Sequence, residues 1–281
     1  MRRRLFLLLS LLAFAAPLPA QQWEILAVRY GTIADFPLRG LMPGAPEGEA
    51  LDIAMVMWVL RDAEHVVLFD TGFFREAWLE RFTFGDFERP DEALARAGIR
   101  AEDVTDVIIS HAHWDHMGGI ALFPNATLWL QEAEYTYYTG AAWQPGGRTG
   151  GIDRADIEHL LARNMAGQVR FVAGDDVEIL PGIRAYIGAR HTFASQYLRV
   201  ETPQPWVLAS DNAYLYRNLH EGRASATFSP EDREANIAAH RRMEELAGDP
   251  ARVVPGHDVL QFERFPTVTE RVVRITAGGG T

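Results

Sequence analysis

A dense group of metal-ligating side chains follows an apolar segment near the middle of the chain. Within Ser110–Gly119 (SHAHWDHMGG), imidazoles stand at His111, His113 and His116 and a carboxylate stands at Asp115. In extended backbone His111 and His113 point to the same side, and a turn that starts there brings Asp115 and His116 to a second point nearby. Imidazole nitrogen and carboxylate oxygen are good ligands for zinc and its first-row neighbours. The spacing therefore predicts a metal site rather than a solvated loop that happens to be rich in histidine.

The amino-acid composition restricts what this metal site can be made of. The chain has 281 residues, nine histidines and no cysteine. Thiolate ligands are therefore excluded, and an exported form would have no disulfide bonds. The formal charge of −11 argues against a nucleic-acid binder, because such proteins normally carry a basic patch. We therefore expect a metal held by histidine and carboxylate, and no nucleic acid as a partner.

Rigid elements must position these side chains, and the sequence predicts strands and helices mixed along both halves of the chain. Strands are predicted at 23–30, 53–60, 65–69, 104–110, 127–130, 169–172, 177–180, 184–187, 197–201, 206–210 and 253–254. Helices are predicted at 91–97, 132–138, 154–164, 231–247 and 266–275, with Ser229 as the N-cap and Gly248 as the stop of the longest one. Residues 139–151 are rich in glycine and are predicted to form a loop. This order favours an α/β architecture in which helices cover two sheets.

The first twenty residues have the pattern of a secretory signal peptide. Arg2–Arg4 form a basic segment, Leu5–Ala16 an apolar one, and Ala20 offers a small residue for cleavage, although Leu18 is an imperfect residue three positions before the cut. The alternative is an uncleaved anchor, but an apolar run of about 12 residues is short for a bilayer, which takes roughly 20. We expect residues 1–20 to be removed and residues 21–281 to form a secreted or periplasmic domain without stable membrane insertion.

The His-x-His-x-Asp-His motif after a buried strand resembles the signature of the metallo-β-lactamase superfamily. That family supplies a further histidine, an aspartate and a last histidine downstream, and His191, Asp211 and His257 each follow a predicted strand in the matching order. Asp70, in Leu68-Phe69-Asp70-Thr71-Gly72, resembles the early aspartate that supports the family's site. The resemblance spans residues from about 66 to 258, which is most of the chain.

The resemblance implies a four-layer αββα sandwich with two divalent metal ions, for which zinc is the first expectation and iron, manganese and cobalt are alternatives. One ion would be held by His111, His113 and His191, and the other by Asp115, His116 and His257. Asp211 would bridge the two ions, with a hydroxide between them that attacks the substrate. Asp115 or water would then deliver a proton to the leaving oxygen.

Three positions narrow the class of hydrolase that the resemblance implies. A carboxylate at Asp211 is similar to lactonases and glyoxalase-II-type thioesterases, whereas the true β-lactamases lack it. Tyr214 matches a tyrosine with which N-acyl homoserine lactonases bind the substrate carbonyl, unless it only packs against Tyr216. Trp114, inside the motif, would add an apolar wall beside the metals.

The sequence departs from many relatives after its third histidine, where His191-Thr192-Phe193-Ala194 replaces His-Thr-Pro-Gly and Phe193 is expected to narrow the pocket. The leading prediction is a quorum-quenching lactonase. Its small-molecule substrate would be an N-acyl homoserine lactone or a similar lactone, whose ring it hydrolyses. The alternatives are an exported metallo-β-lactamase, a glyoxalase-II-like thioesterase and a metal-binding protein of the same fold without activity. The acyl-chain preference is left open, and so is the oligomeric state, for which a homodimer is one option.

Overall fold

The computed structural model describes residues 23–276, so the predicted signal peptide at 1–20 lies outside the described residues. The strands of the described part are β1 (Glu24–Pro37), β2 (Ala50–Arg61), β3 (Val66–Phe69), β4 (Asp106–Ile108), β5 (Thr127–Gln131), β6 (Val169–Val172), β7 (Val177–Leu180), β8 (Ile183–Ile187), β9 (Gln196–Val200), β10 (Trp206–Ser210), β11 (Val253–Pro255), β12 (Thr267–Thr269) and β13 (Val272–Ile275).

The α-helices of the same part are mostly short. They are α1 (Leu38–Leu41), α2 (Glu76–Leu79), α3 (Pro90–Ala95), α4 (Trp114–Met117), α5 (Glu132–Tyr138), α6 (Arg154–Met165), α7 (Tyr216–His220), α8 (Arg233–Ala247) and α9 (Gln261–Arg264). Single turns of 3₁₀ helix cover Ala101–Asp103, Ile120–Leu122, Ala141–Trp143, Pro230–Asp232 and Pro250–Arg252.

Two sheets stack face to face. The larger has the order β12-β13-β1-β2-β3-β4-β5-β6, and the smaller has the order β11-β10-β9-β8-β7. Buried side chains from both sheets form one core between them, including Trp58 and Phe69 from the larger sheet and Leu198 and Leu208 from the smaller. Burying apolar side chains between two facing sheets is the main stabilising contribution to such a sandwich.

Helices cover the outer face of each sheet. A second core packs helices α3 and α6, with residues such as Leu94 and Leu160, against the larger sheet. A third core joins Met243 of α8 to Tyr197 and Val207 of the smaller sheet. The order helix, sheet, sheet, helix confirms the predicted four-layer α/β sandwich.

The predicted helix at the carboxyl end of the chain is wrong, because residues 267–275 form the hairpin β12–β13 instead. Val272, Val273 and Ile275 are buried, and β13 pairs antiparallel with β1. Branched side chains are stiff and pack well on a pleated surface, so an edge of the sheet overrides the helical pattern. The short helix α7 was not predicted from the sequence.

The longest helix begins later than predicted. Residues Pro230–Asp232 form a 3₁₀ turn, and α8 runs from Arg233 to Ala247. Ser229 and Asp232 exchange hydrogen bonds as a capping box, and Gly248 ends the helix with a φ of 69°. Within residues 23–276 no helix has the length and apolarity that crossing a bilayer requires.

Candidate metal centre

The seven side chains predicted as metal ligands converge at one edge of the two sheets. Their loops follow the ends of β4, β8, β10 and β11. Two groups of ligand atoms form there, each with all its atoms within 4.8 Å of one another. One group is His111, His113, His191 and Asp211, and the other is Asp115, His116 and His257.

Asp211 lies between the imidazoles of the first group and those of the second. Its Oδ2 is 3.3 Å from His191 Nε2 and 3.7 Å from His111 Nε2. Its Oδ1 is 3.2 Å from His116 Nε2 and 2.9 Å from His257 Nε2. One oxygen therefore faces each group, which is the arrangement that a bridging carboxylate needs.

The imidazoles present lone pairs to the centre rather than N–H groups. His191 Nδ1 donates to Ala226 O at 2.9 Å, and His257 Nδ1 donates to Ala54 O at 2.9 Å. His116 Nδ1 donates to the Asp70 carboxylate at 2.8 Å. In the neutral imidazole, the form that binds a metal, the one N–H then lies on Nδ1, and Nε2 presents its lone pair to the centre.

Three of the imidazole nitrogens also lie within hydrogen-bond distance of one another. His113 Nδ1 lies 3.0 Å from His111 Nε2 and 2.9 Å from His191 Nε2. His116 Nε2 and Asp211 Oδ1 are buried and have no partner with the geometry of a hydrogen bond. Nitrogen and oxygen lone pairs that converge in this way fit divalent cations, and outer hydrogen bonds of the same kind orient histidine ligands in metal sites.

The pKa values differ between the two groups. Burial lowers the pKa of His111 well below its usual value and lowers that of His113 to about 3. At His116 and His257 burial works in the same direction, but the Asp211 and Asp115 carboxylates outweigh it and raise the pKa of both. The first group therefore offers neutral imidazoles. In the second group the carboxylates favour added positive charge, which a bound cation would supply.

Asp70 supports the centre from behind, as the resemblance implied. It accepts from the Ser110 N–H at 2.7 Å, the Ser110 hydroxyl at 2.8 Å and the Ser210 hydroxyl at 3.0 Å, besides His116. Asp70, Arg190 and Ser210 have φ values of 66°, 52° and 47°. This left-handed backbone, uncommon outside glycine, turns the chain sharply beside the ligand residues.

A second buried network fixes the backbone next to Asp211. The Asn212 side chain accepts from Ser195 Oγ at 2.9 Å and donates to the carbonyl oxygens of Gln196 and Ala209 at 3.2 and 3.1 Å. The Asn212 carbonyl accepts from His240 Nε2 at 2.6 Å, with further donors on Ser225 and Asn236. His240 is buried in this role.

Tyr214 points into the centre. Its ring packs 5.4 Å from that of His191 and 5.6 Å from that of His257, rather than against Tyr216. Burial raises its pKa well above the usual value, and Asp211 and Asp115 raise it further. Tyr214 is therefore a neutral hydroxyl that can donate a hydrogen bond beside the ligands.

Two cavities open on the centre, and they share His113, Gly150 and Tyr214. One, of about 240 Å³, has a mainly apolar wall that includes Phe36, Leu41, Met55, Phe82 and Trp114. The other, of about 500 Å³, is lined by Tyr138, Arg148, His191, Ala226, Thr227 and Phe228. Trp114 therefore forms the predicted apolar wall, where it stacks on Trp78 with ring centres 4.6 Å apart.

Phe193 does not narrow either of these cavities. It stacks on Tyr137 with ring centres 4.1 Å apart and lines a separate apolar cavity of about 550 Å³. The sequence also gave no signal for several residues that hold the centre, because buried hydrogen bonds between distant segments leave no periodic pattern. Among them are Tyr30, whose hydroxyl donates to Asp115 O at 2.9 Å, and Glu134.

Comparison with known proteins agrees with this geometry. The sequence model of the metallo-beta-lactamase superfamily matches residues 55–182. An N-acyl homoserine lactonase from a Bacillus species is 28% identical over 230 residues, which cover 76% of this chain and 85% of the relative. The lactonase AttM of Rhizobium johnstonii is 30% identical over 179 residues, which cover 62% of this chain and 65% of the relative.

Solved structures share the fold. An N-acyl homoserine lactone hydrolase with N-hexanoyl-L-homoserine at its catalytic metal centre has a TM-score of 0.70 at 22% identity, covering 87% of this chain and 96% of the other. The dizinc quorum-quenching lactonase AidC has a TM-score of 0.65 at 18% identity, covering 93% and 94%. Residues 55–182 therefore form a metallo-beta-lactamase superfamily domain, and the chain has N-acyl homoserine lactonases among its relatives and shares the fold of the solved lactonase structures.

Proposed function

We propose that this protein is a dinuclear metal-dependent lactonase that hydrolyses N-acyl homoserine lactones, with His111, His113, Asp115, His116, His191, Asp211 and His257 as the metal ligands. The observation that carries the proposal is the position of Asp211 between two groups of ligand atoms, with the Tyr214 hydroxyl beside them. Relatives that span most of the chain are named as lactonases of this substrate class.

Two divalent cations held there would lower the pKa of a water molecule and polarise a carbonyl group. Tyr214 contributes a neutral donor, because its raised pKa keeps the phenol protonated at neutral pH. As the lactone carbonyl becomes tetrahedral, its oxygen gains negative charge, and the Tyr214 hydroxyl is positioned to donate to that oxygen. A donor aimed at a developing charge stabilises the transition state more than the ground state.

Asp115 is suited to move the proton. Its Oδ2 lies 3.4 Å from His116 Nε2 and 3.6 Å from His257 Nε2, and it lines the apolar cavity. Burial favours the protonated form, but His116 and His257 outweigh it and lower the pKa of Asp115, so it is a carboxylate that can accept a proton. Hydrolysis adds the oxygen of water to the carbonyl carbon and breaks the ring C–O bond. The proton from water reaches the leaving ring oxygen through Asp115.

The apolar cavity supplies the binding site for the acyl chain. Its walls carry Ile33, Phe36, Leu41, Ile53, Met55 and Phe82, and its volume of about 240 Å³ suits an alkyl chain of moderate length. Burying each methylene there contributes about 0.8 kcal/mol. The polar ring then lies at the shared boundary of the two cavities, beside Tyr214.

The proposal extends to the identity of the metal and to the export of the protein. Zinc is the resident metal, because neutral imidazole and carboxylate are ligands that zinc accepts readily. The protein is also exported. Amino-terminal sequencing of the mature protein should therefore give Gln21 as the first residue. A mature protein that still carries Arg2–Arg4 would contradict the export proposal.

The test is an activity panel on purified protein with measured metal content. We expect about two metal ions per chain and acid release in a pH-stat from N-acyl homoserine lactones. A chromogenic cephalosporin and a glutathione thioester should be hydrolysed poorly. Efficient hydrolysis of the cephalosporin or thioester, with lactones left intact, would replace the lactonase proposal by one of those activities. Metal binding without any hydrolysis would favour a protein without activity.

A matched pair of histidine variants tests whether the activity belongs to this centre. His257→Ala removes a proposed ligand and should abolish both lactone hydrolysis and full metal loading. His220→Ala changes an exposed histidine outside the centre and should behave as the wild type. Equal activity in both variants would refute the assignment of the centre.

A further inference from the structure

Glu134 is a buried carboxylate that the proposed reaction does not use. It lies on α5, directly after β5, and is 1% exposed. Its Oε1 accepts from the Ala112 N–H at 2.9 Å and from the Thr192 hydroxyl at 2.6 Å. Its Oε2 accepts from the Ala194 N–H at 2.6 Å. One side chain is thus bonded to two segments that are far apart in sequence.

Those two segments carry the three histidines of the first group. Ala112 lies between His111 and His113, in the turn after β4 of the larger sheet. Thr192 and Ala194 follow His191, in the loop between β8 and β9 of the smaller sheet. The Glu134 carboxylate therefore links the two sheets at the point where their histidine nitrogens come within about 3 Å.

The chemistry of the contact requires an ionised carboxylate. All three partners are donors, and only a carboxylate offers acceptors on both oxygens. A glutamine would turn an N–H group toward one of these donors. Burial raises the pKa of Glu134 to about 7, against the effect of the three donors. A buried anion is costly unless it is compensated, so its presence here calls for a role.

The loop beyond His191 is held to the same helix a second time. Phe193 stacks on Tyr137 of α5 with an interplanar angle of 4°. Gln196 also ties the loop to the larger sheet, because its side chain donates to Ile109 O at 2.7 Å and its N–H donates to Ser110 O at 2.8 Å. Gln196 thereby reaches Ser110, which is next to His111, but of these contacts only those of Glu134 reach residues next to all three histidines of the first group.

We propose that Glu134 is a positioning residue, which fixes the His191 loop against the His111–His113 turn and so sets the spacing of the first metal position. The inference rests on the metal centre of the proposed function, but it concerns metal binding and not the substrate. Outer hydrogen bonds of this kind typically change metal affinity or activity by about 10–100-fold when they are removed.

The test measures metal affinity by competition with a chromophoric chelator, together with the visible absorption of the Co²⁺-substituted protein. Glu134→Gln should weaken affinity by about 10–100-fold and alter the Co²⁺ absorption bands, because it places a donor against a donor. Thr192→Val removes one of the three donors and should weaken affinity less. Thr192→Ser keeps the hydroxyl and should restore wild-type affinity. Asp106→Asn is the control, since it changes a buried carboxylate at the far end of β4 that bonds to Trp129.

A merely structural role predicts a different result. If Glu134→Gln lowered the melting temperature of the metal-free protein but left affinity within about twofold and the Co²⁺ bands unchanged, the inference would be overturned. If Glu134→Gln does not fold, the Thr192→Val and Thr192→Ser pair decides, and equal affinity in those two variants would overturn it. A wild type that binds metal but leaves lactones intact would refute the lactonase proposal only. A wild type that binds no metal would refute both.

Discussion

Gly188→Ala should strongly destabilise the protein, although it adds only one methyl group. A Cβ at Gly188 would lie 1.9 Å from Asn212 Oδ1 and 2.5 Å from Asn212 Cγ. The amide would have to move by more than about 1 Å to reach ordinary van der Waals contact. The three hydrogen bonds of that amide, to Ser195, Gln196 and Ala209, would then be lost.

The expected loss follows from those three bonds. Each is worth about 1 kcal/mol net, and a buried polar group left without a partner costs about 1–3 kcal/mol. We therefore expect Gly188→Ala to lower the free energy of unfolding by about 3–5 kcal/mol. Because Asn212 follows Asp211 directly, any variant that still folds should also bind metal less tightly.

Urea unfolding of the metal-free protein, followed by circular dichroism, measures the effect. Gly85→Ala is the matched control, because a Cβ there meets no atom within 4 Å. It should change stability by no more than about 1 kcal/mol. Asn212→Ala removes the amide that the added methyl group would meet. The double variant Gly188→Ala/Asn212→Ala should therefore lose less free energy of unfolding than the two single variants together, by on the order of 1–3 kcal/mol. A Gly188→Ala variant as stable as Gly85→Ala would refute the reasoning.

Three further predictions concern the cavity, the oxyanion donor and one buried acid. Tyr214→Phe should lower kcat for lactones by about 10–100-fold with unchanged metal content, since it removes one donor to a charged oxygen; an unchanged kcat would show that Tyr214 only packs. Met55→Trp fills the apolar cavity, so KM should rise more for N-decanoyl than for N-butanoyl homoserine lactone, and an equal rise would argue against that site for the chain. Burial raises the pKa of Asp156 to about 6, against the hydrogen bond from Arg75. The folded chain then keeps a proton that the unfolded chain loses, so this contribution to stability is present below about pH 4 and is lost as the pH rises through about 6. In urea titrations the stability of wild type relative to Asp156→Asn should fall by on the order of 1–3 kcal/mol between those limits, and parallel curves would contradict it.

Ligand chemistry and spacing in the sequence were sufficient to predict a metal site at His111–His116. The resemblance of that motif to the metallo-β-lactamase superfamily then predicted that His191, Asp211 and His257 would join it, and the structure brings all these side chains together. The α/β sandwich also followed from the mixed order of strands and helices.

The hydrogen bonds that hold those residues in place could not be predicted from the sequence. Glu134 and Asn212 act through hydrogen bonds to backbone that is distant in sequence, and such contacts depend on the finished fold. The hairpin at 267–275 was missed for a related reason. Its partner is β1 at the other end of the chain, and pairing with that edge decides its conformation.

The left-handed backbone at Asp70, Arg190 and Ser210 has a consequence for protein engineering. Each such conformation costs roughly 1 kcal/mol or more in a residue that has a Cβ. A screen for heat-resistant variants would therefore select glycine at these positions. At Asp70 and Ser210 glycine would remove the side chains that bond to His116 and to the Ser110 hydroxyl, next to the candidate metal ligands. Arg190 differs, because its exposed guanidinium lies over the rings of Phe193 and Phe228 and 3.8 Å from the Asp232 carboxylate. Of these three positions, Arg190 is therefore the one at which glycine could raise thermal stability without loss of activity.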